Sequence, residues 1–523
     1  MRVESGAYLK KSTVRVGRPL LLPSFSEPHQ ARPEQPRYLS PMSSIQSTLT
    51  SSREELIDWL RHEKPETIVE NTLAALDRGV PMDELWAAGA LTAAKYVSNQ
   101  ARNLLGFVSH AMIGCEDARQ SAVGQPEDIQ RIMLVQALAQ VVTDLHDPCF
   151  APYELFDVWG ISEGTVEESI TQLRSDVRLG EWMRADHRFV GLTKKMKKED
   201  VIDLLLDIGL EGIVTDDHTL ITPALSLDMM ELTGWESGLA MLRGTLRYSC
   251  TFPRDLAPYE KSIELVARYA LENKVSLGNK DPEQISKLRL DFLAAKPSER
   301  PEAVARALAE GNASADTVIS ALSLAACDMY LQVDPVPHQD FDAVSREVAP
   351  IHIGTTLNVL RASLRHMSPK TRAIAVIMGG CLLERGPSIL NEKFEFVPFT
   401  AVRPYPYHED LELFTGKKDF EIIEELRTAI YDHDVRRTTA AVAAYRNLGL
   451  SAQPLIALLV EIACSDDGTL MHNVKHLHSC LEEFRESTHP DKWNFLIAAA
   501  KWVSWYAGKD TKVYKRALAG LAR

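Results

Sequence analysis

The chain of 523 residues is 45% hydrophobic and carries a formal net charge of −14. That is apolar content enough for a large core, and the charge gives no electrostatic support for a nucleic-acid partner. No apolar run reaches the roughly 18 residues that cross a bilayer, and the seven cysteines form no CxxC pair, a pattern expected of free thiols in a reducing, cytoplasmic compartment.

Residues 1–50 include "RPLLLPSFSEPHQARPEQPRYLSPMSS", rich in Pro and Ser and without helical periodicity. They read as a disordered tail, with an organelle presequence as the alternative. From Arg53 the pattern is helical almost throughout, and runs of alternating β-branched residues are rare. The expected fold class is therefore all-α. Laying the chain against itself reveals one unit written four times, with a period of roughly 110–135 residues.

Each unit opens on a helix rich in Leu and Ala. These helices begin near Met82, Lys198, Ala315 and Ala452. A loop follows, then a histidine at the start of a second helix: His110, His218, His352 and His472. A third helix closes the unit, as in "DIQRIMLVQALAQVV", "SGLAMLRGTLRYS", "KTRAIAVIMGGCLLERG" and "DKWNFLIAAAKWVSWYAG". The basic run Lys194, Lys195, Lys197 and Lys198 reads as the solvated start of one such helix, because Glu199 and Asp200 follow it at once. The units span about 53–150, 190–260, 301–386 and 436–510 within a domain of 51–510, with a C-terminal segment 511–523. Two inserts interrupt them, about 152–189 and 386–420. A long loop within a compact domain reads as a lid or a binding loop. A period this long favours a compact array of four related helical units over an extended superhelix.

The four histidines stand 108, 134 and 120 residues apart. A histidine at a helix start is commonly a cap or a satisfied core residue. Four at equivalent positions, in units related by approximate symmetry, converge on the axis. Imidazoles packed together repel on protonation, and a transition metal removes that difficulty because neutral nitrogen donors suit Fe, Ni, Cu and Zn. The alternative is an inherited capping residue.

The fourth unit adds Lys475, three residues after His472. Either its ammonium reaches solvent, or burial lowers its pKa and leaves a neutral amine that takes up CO2 as a carbamate. His476 shares the face of His472 and is a weaker candidate. His478 stands about 120° round the helix from His472 and reads as a surface or packing residue. His338 rivals His352. The pairs Asp216/Asp217 and Asp466/Asp467 precede His218 and His472, as helix N-terminal charges or as hydrogen-bond partners of an imidazole. Trp493, Phe495, Trp502, Trp505 and Tyr506 follow helical spacing and read as core, with a substrate platform as the alternative. The chain has no H-E-x-x-H, P-loop or G-x-S-x-G motif.

The H-x-x-K pattern of His472 and Lys475, with one helix-start histidine in each earlier unit, resembles the questin oxidase-like family over roughly Arg53 to Gly508. The resemblance implies a mononuclear non-haem Fe(II) oxygenase. His110, His218, His352 and His472 would be its nitrogen ligands and carboxylated Lys475 its oxygen ligand. It also implies a small aromatic or quinone substrate and O2 as partners. A non-catalytic helical-repeat interaction protein is the other reading of the same chain.

Overall fold

The computed structural model describes residues 52–98, 109–251, 254–311, 313–332, 341–390, 403–469 and 471–522, with 341–350 and 384–390 as backbone only. The expected tail 1–50 and His338 lie outside the described residues. Residues Leu49–Arg523 form one compact unit. Its regular structure among the described residues is helical, without strands, so the chain is all-α.

Twelve helices carry the four units. The first unit contains α1 (Met82–Tyr96), α2 (Ala111–Ala122) and α3 (Glu127–His146). The second contains α4 (Lys198–Leu210), α5 (His218–Thr233) and α6 (Trp235–Ser249). The third contains α7 (Ala315–Leu331), α8 (Phe341–Ser363) and α9 (Pro369–Leu390). The fourth contains α10 (Gln453–Ala463), α11 (His472–Glu486) and α12 (Trp493–Tyr506). Within each unit the three helices pack against one another.

The opening helix of each unit forms for local reasons. Asp83 and Glu84 occupy the first turn of α1 after Pro81, where acidic groups favour the helix dipole. The Ser314 hydroxyl caps the Thr317 N–H of α7 at 3.1 Å. The apolar residues of these helices lie on nearly every face. Consistent with that, ten residues of α1 and sixteen of α7 are buried, as for helices enclosed by others.

The histidine-bearing helices close a ring: α2 packs on α5, α5 on α8, α8 on α11, and α11 back on α2. The C-terminal segment forms a helix, Lys512–Leu521, which packs on α3 and on Ile68–Asp77. The end of the fourth unit thus lies against the first, which produces a compact array rather than an open superhelix.

Two sequence expectations need correction. His352 does not begin a helix. Pro350, which normally disfavours the helical conformation before it, lies inside the 23-residue α8, so His352 sits in mid-helix. The first insert is not a loose loop. It contains helices Val166–Arg178 and Trp182–Thr193, and the second packs on α6. There the fully buried Asp186 accepts from Arg243 Nε at 2.8 Å and Arg247 Nε at 2.9 Å. Part of the second insert, 391–402, lies outside the described residues.

Candidate metal centre

The ring of helices brings the four predicted histidines together. Their ring centroids are 4.3 Å apart for His110 and His472, 5.0 Å for His110 and His218, 5.1 Å for His218 and His352, and 5.3 Å for His352 and His472. Lys475 joins them, with Nζ 3.1 Å from His218 Nε2. All five side chains are buried.

The outer ring nitrogens of His218, His352 and His472 are engaged. His218 Nδ1 lies 3.0 Å from Asp216 Oδ1, which also accepts the His218 backbone N–H at 3.1 Å. The other Asp216 oxygen accepts the Tyr248 hydroxyl. His352 Nδ1 lies 3.1 Å from the Asp217 carboxylate, which also accepts the Thr356 hydroxyl at 2.7 Å. His472 Nδ1 lies 2.8 Å from the Thr469 carbonyl oxygen. A neutral imidazole that donates through Nδ1 carries its lone pair on Nε2. That atom faces inward: His218 Nε2 is 3.2 Å from His110 Nε2, and His352 Nε2 is buried with no partner.

The electrostatics favour neutral rings. Burial, then the charges of His472 and Lys475, hold His110 well below the ordinary histidine range. Burial, then His352 and Lys475, do the same to His472. Burial pulls His352 down to about 4 although Asp217 opposes it. Burial also lowers Lys475, against the charges of Asp217, Asp117 and Asp216. The N-termini of α2, α5 and α11 all lie at the cluster, and their partial positive charge further disfavours cations on the rings or the amine.

Helix geometry at the centre departs from what stability alone selects. Asp217 is the N-cap of α5 yet makes no side-chain cap, because its carboxylate serves His352 and Thr356. Met471 precedes His472 in the left-handed region at φ 68°, where a non-glycine residue is strained by roughly 1–2 kcal/mol. Its side chain covers Gly114 of α2, and a Cβ at 114 would lie 3.1 Å from Met471 Cγ. Strain of this kind concentrates where surrounding structure holds a functional group in place.

The ligand atoms of Asp217, His218 and His352 also lie within 4.8 Å of one another. Because Asp217 already accepts from His352 Nδ1 and Thr356, its role is to orient His352. The sequence offered Asp217 as a partner of an imidazole; the structure places it 3.1 Å from His352 Nδ1 of the next unit and 3.4 Å from His218 Nδ1 of its own. Thr356 and Tyr248 were not anticipated. The signal for Thr356 was its i+4 spacing from His352.

The remaining candidates lie elsewhere. His476 is held at about 3 by burial, bonds the Ala498 backbone, and has Nε2 3.5 Å from Cys480 Sγ. It packs beside Tyr330 and Trp502. Of the two readings of His478, packing is the one the structure supports: it is buried, with Nδ1 2.8 Å from Asp117 Oδ1. Asp466 accepts the Thr469 hydroxyl at 2.6 Å and Asp467 accepts from Gln136 at 2.8 Å, so this pair braces the loop before His472 without touching an imidazole. Trp502, Trp505 and Tyr506 are buried in the core. All seven cysteines are free, and no described helix is long and apolar enough to cross a membrane. Comparison of the chain with family models, with curated proteins and with solved structures finds no match.

Proposed function

We propose that the chain is a non-haem iron-dependent oxygenase of the questin oxidase type. In this reading His110, His218, His352 and His472 bind one iron through Nε2, with Lys475 as the fifth donor. The observation that carries it is the convergence of four buried imidazoles, three of which have their outer nitrogens engaged. The donor set fits a metal. His352 Nε2 has no other partner, and two Nε2 atoms approach to 3.2 Å, where neutral lone pairs would repel unless a proton or a cation lies between them. Imidazole with one oxygen donor suits iron, whereas a zinc hydrolase keeps three protein ligands and an open position.

Lys475 enters as a carbamate. Its neutral amine attacks the carbon of CO2, an N–C bond forms as one C=O π pair moves onto oxygen, and one N–H proton is released to solvent, so that a neutral amine becomes an anionic oxygen donor. Burial disfavours the ammonium, and the convergent helix N-termini favour the anion. An ammonium, by contrast, has three donors and no lone pair to offer a metal.

Iron bound there would supply dioxygen activation for oxygen insertion into an electron-rich aromatic or quinone-type substrate. The chain's own part is preorganisation. Asp216, Asp217 and the Thr469 carbonyl keep the Nδ1 protons of His218, His352 and His472 in place and fix the direction of those rings. The buried cluster excludes water and strengthens every local electrostatic interaction. A non-catalytic repeat scaffold gives no reason for four imidazoles buried together, two of them with Nε2 atoms 3.2 Å apart and a third with its Nε2 unpartnered. Metal analysis of protein produced with iron available tests the reading. We expect about one iron per chain, lost in His352→Ala; protein without stoichiometric metal would sink it.

A further inference from the structure

Between α7, α8, α11 and α12 lies a cavity of about 20 Å³; a single water needs about 10–15 Å³ on this measure. Ile351, Gly354, Tyr330, His476, Cys480 and Ser323 are among the residues that line it. Ile351 adjoins His352 and His476 adjoins Lys475, so the cavity abuts the two helices that carry His352, His472 and Lys475.

Gly354 is the informative residue. It lies in the interior of α8, where glycine costs about 1 kcal/mol relative to alanine. It is not among the positive-φ glycines, so the backbone does not require it. Nor does close packing, since a Cβ built there meets no described heavy atom within 4 Å. The glycines of α9 are different: a Cβ would come within 3.0 Å of Leu322 Cδ1 at Gly379 and within 3.0 Å of Val304 Cγ2 at Gly380. What the missing side chain at 354 preserves is space.

The wall is poorly suited to an ordered water, which makes two to four hydrogen bonds. Glu483 accepts from Arg361 at 2.7 Å and from Asn358 at 3.0 Å. His476 already bonds the Ala498 backbone and lies against the Cys480 thiol. Among the described lining residues, the buried polar atom left without a partner is Ser323 Oγ. The remainder is Ala, Ile, Gly, Phe and thiol surface together with Tyr330 and Ser479.

We propose that this cavity, held open by Gly354, binds a small uncharged gas, dioxygen or carbon dioxide, beside the histidine centre. The purpose of such a site rests on the iron-carbamate reading above, which consumes both gases, but its existence can be tested apart from it.

The full chain, metal-free and metal-loaded, is labelled at Ile and Ala methyls, and relaxation is measured under dioxygen and under nitrogen at equal pressure. The paramagnetic gas should enhance relaxation of the Ile351 and Ala326 methyls severalfold over the buried reference methyls of Ile132 and Ala87. Gly354→Ala should reduce the enhancement towards the reference level with melting temperature unchanged or raised. Enhancement at Ile351 no greater than at Ile132 in the wild type overturns the proposal, and that measurement needs no variant. Full enhancement in a folded Gly354→Ala protein overturns it as well. Carbon dioxide added under dioxygen separates the two gases: displacement of the enhancement assigns a shared site, and no displacement assigns dioxygen alone. Metal content of the same samples reads the centre independently. Bound metal without gas enhancement removes the cavity alone, and enhancement without any metal binding removes the centre alone.

Discussion

Asp217→Asn tests the orienting role of this carboxylate with minimal change of shape. Asp217 is 2% exposed and serves two donors, His352 Nδ1 at 3.1 Å and Thr356 Oγ1 at 2.7 Å. Asparagine offers one acceptor oxygen, and its amide cannot accept from either donor. With its oxygen turned to His352 the asparagine loses only the Thr356 bond, and the Thr356 hydroxyl keeps the His352 carbonyl oxygen at 2.5 Å as acceptor, so the cost is that of one lost hydrogen bond, about 1 kcal/mol of stability. The ring of His352 also loses the negative charge that fixes its Nδ1–H. Altering such an outer partner typically weakens metal affinity by about 10–100-fold, or roughly 1.4–2.8 kcal/mol at 1.4 kcal/mol per tenfold. Competition titration of iron against a chelator measures the affinity, and thermal melting of the metal-free protein measures the stability. We expect reduced affinity with metal still bound, and a destabilised apo-protein. Unchanged affinity would refute the orienting role. A loss equal to that of His352→Ala would refute it differently, by making Asp217 a direct ligand.

Two further outcomes are expected. Protein equilibrated with ¹³C-bicarbonate should show a carbamate carbon signal by NMR that is absent from Lys475→Ala, and acetate or propionate should restore metal binding to Lys475→Ala but not to His352→Ala. Absence of the signal in iron-loaded wild type removes the carbamate. The second outcome concerns pH. His352 has a folded pKa of about 4 against an ordinary 6.5, so the unfolded chain takes up its proton first. Its contribution to stability falls as pH drops below about 6.5 and stops falling near 4, at roughly 1.4 kcal/mol per pH unit for one site. Buried Asp144, Asp228 and Asp466, each raised by burial to about 6, work in the opposite sense. The measurement is therefore the difference in unfolding free energy between metal-free wild type and His352→Gln from pH 7 to 4. Wild type should lose more, and a difference that does not change with pH contradicts the neutral buried imidazole.

Much of this architecture was legible in the sequence because it depends on local physics. The 3.6-residue periodicity located the opening helices at Met82, Lys198 and Ala315 to the residue, and the one at Ala452 to within one. Repetition of the unit aligned His110, His218, His352 and His472 although they lie more than a hundred residues apart. Their convergence followed from symmetry alone, without knowledge of any contact. Lys475 was singled out because an ammonium is out of place on a buried histidine face.

What the sequence did not determine depends on contacts between units. Asp217 looked like a cap for its own helix, but ring closure brings it to His352 and Thr356. His478 faced outward by helical angle, yet α2 packs against that side and supplies Asp117. Burial lowers the His478 pKa, but the hydrogen bond and charge of Asp117 outweigh it and raise the value overall. Pro350 signalled a helix boundary, and α8 runs through it because its neighbours α7, α9 and α11 enclose it. Met471 has a left-handed backbone, and its side chain packs where Gly114 of α2 has no Cβ. Periodicity and repetition are properties of one chain segment at a time, and these wrote the helices and the histidine column. Which carboxylate meets which imidazole is decided where units pack, the second on the third for Asp217 and His352 and the fourth on the first for Asp117 and His478, and only the tertiary structure contains those contacts.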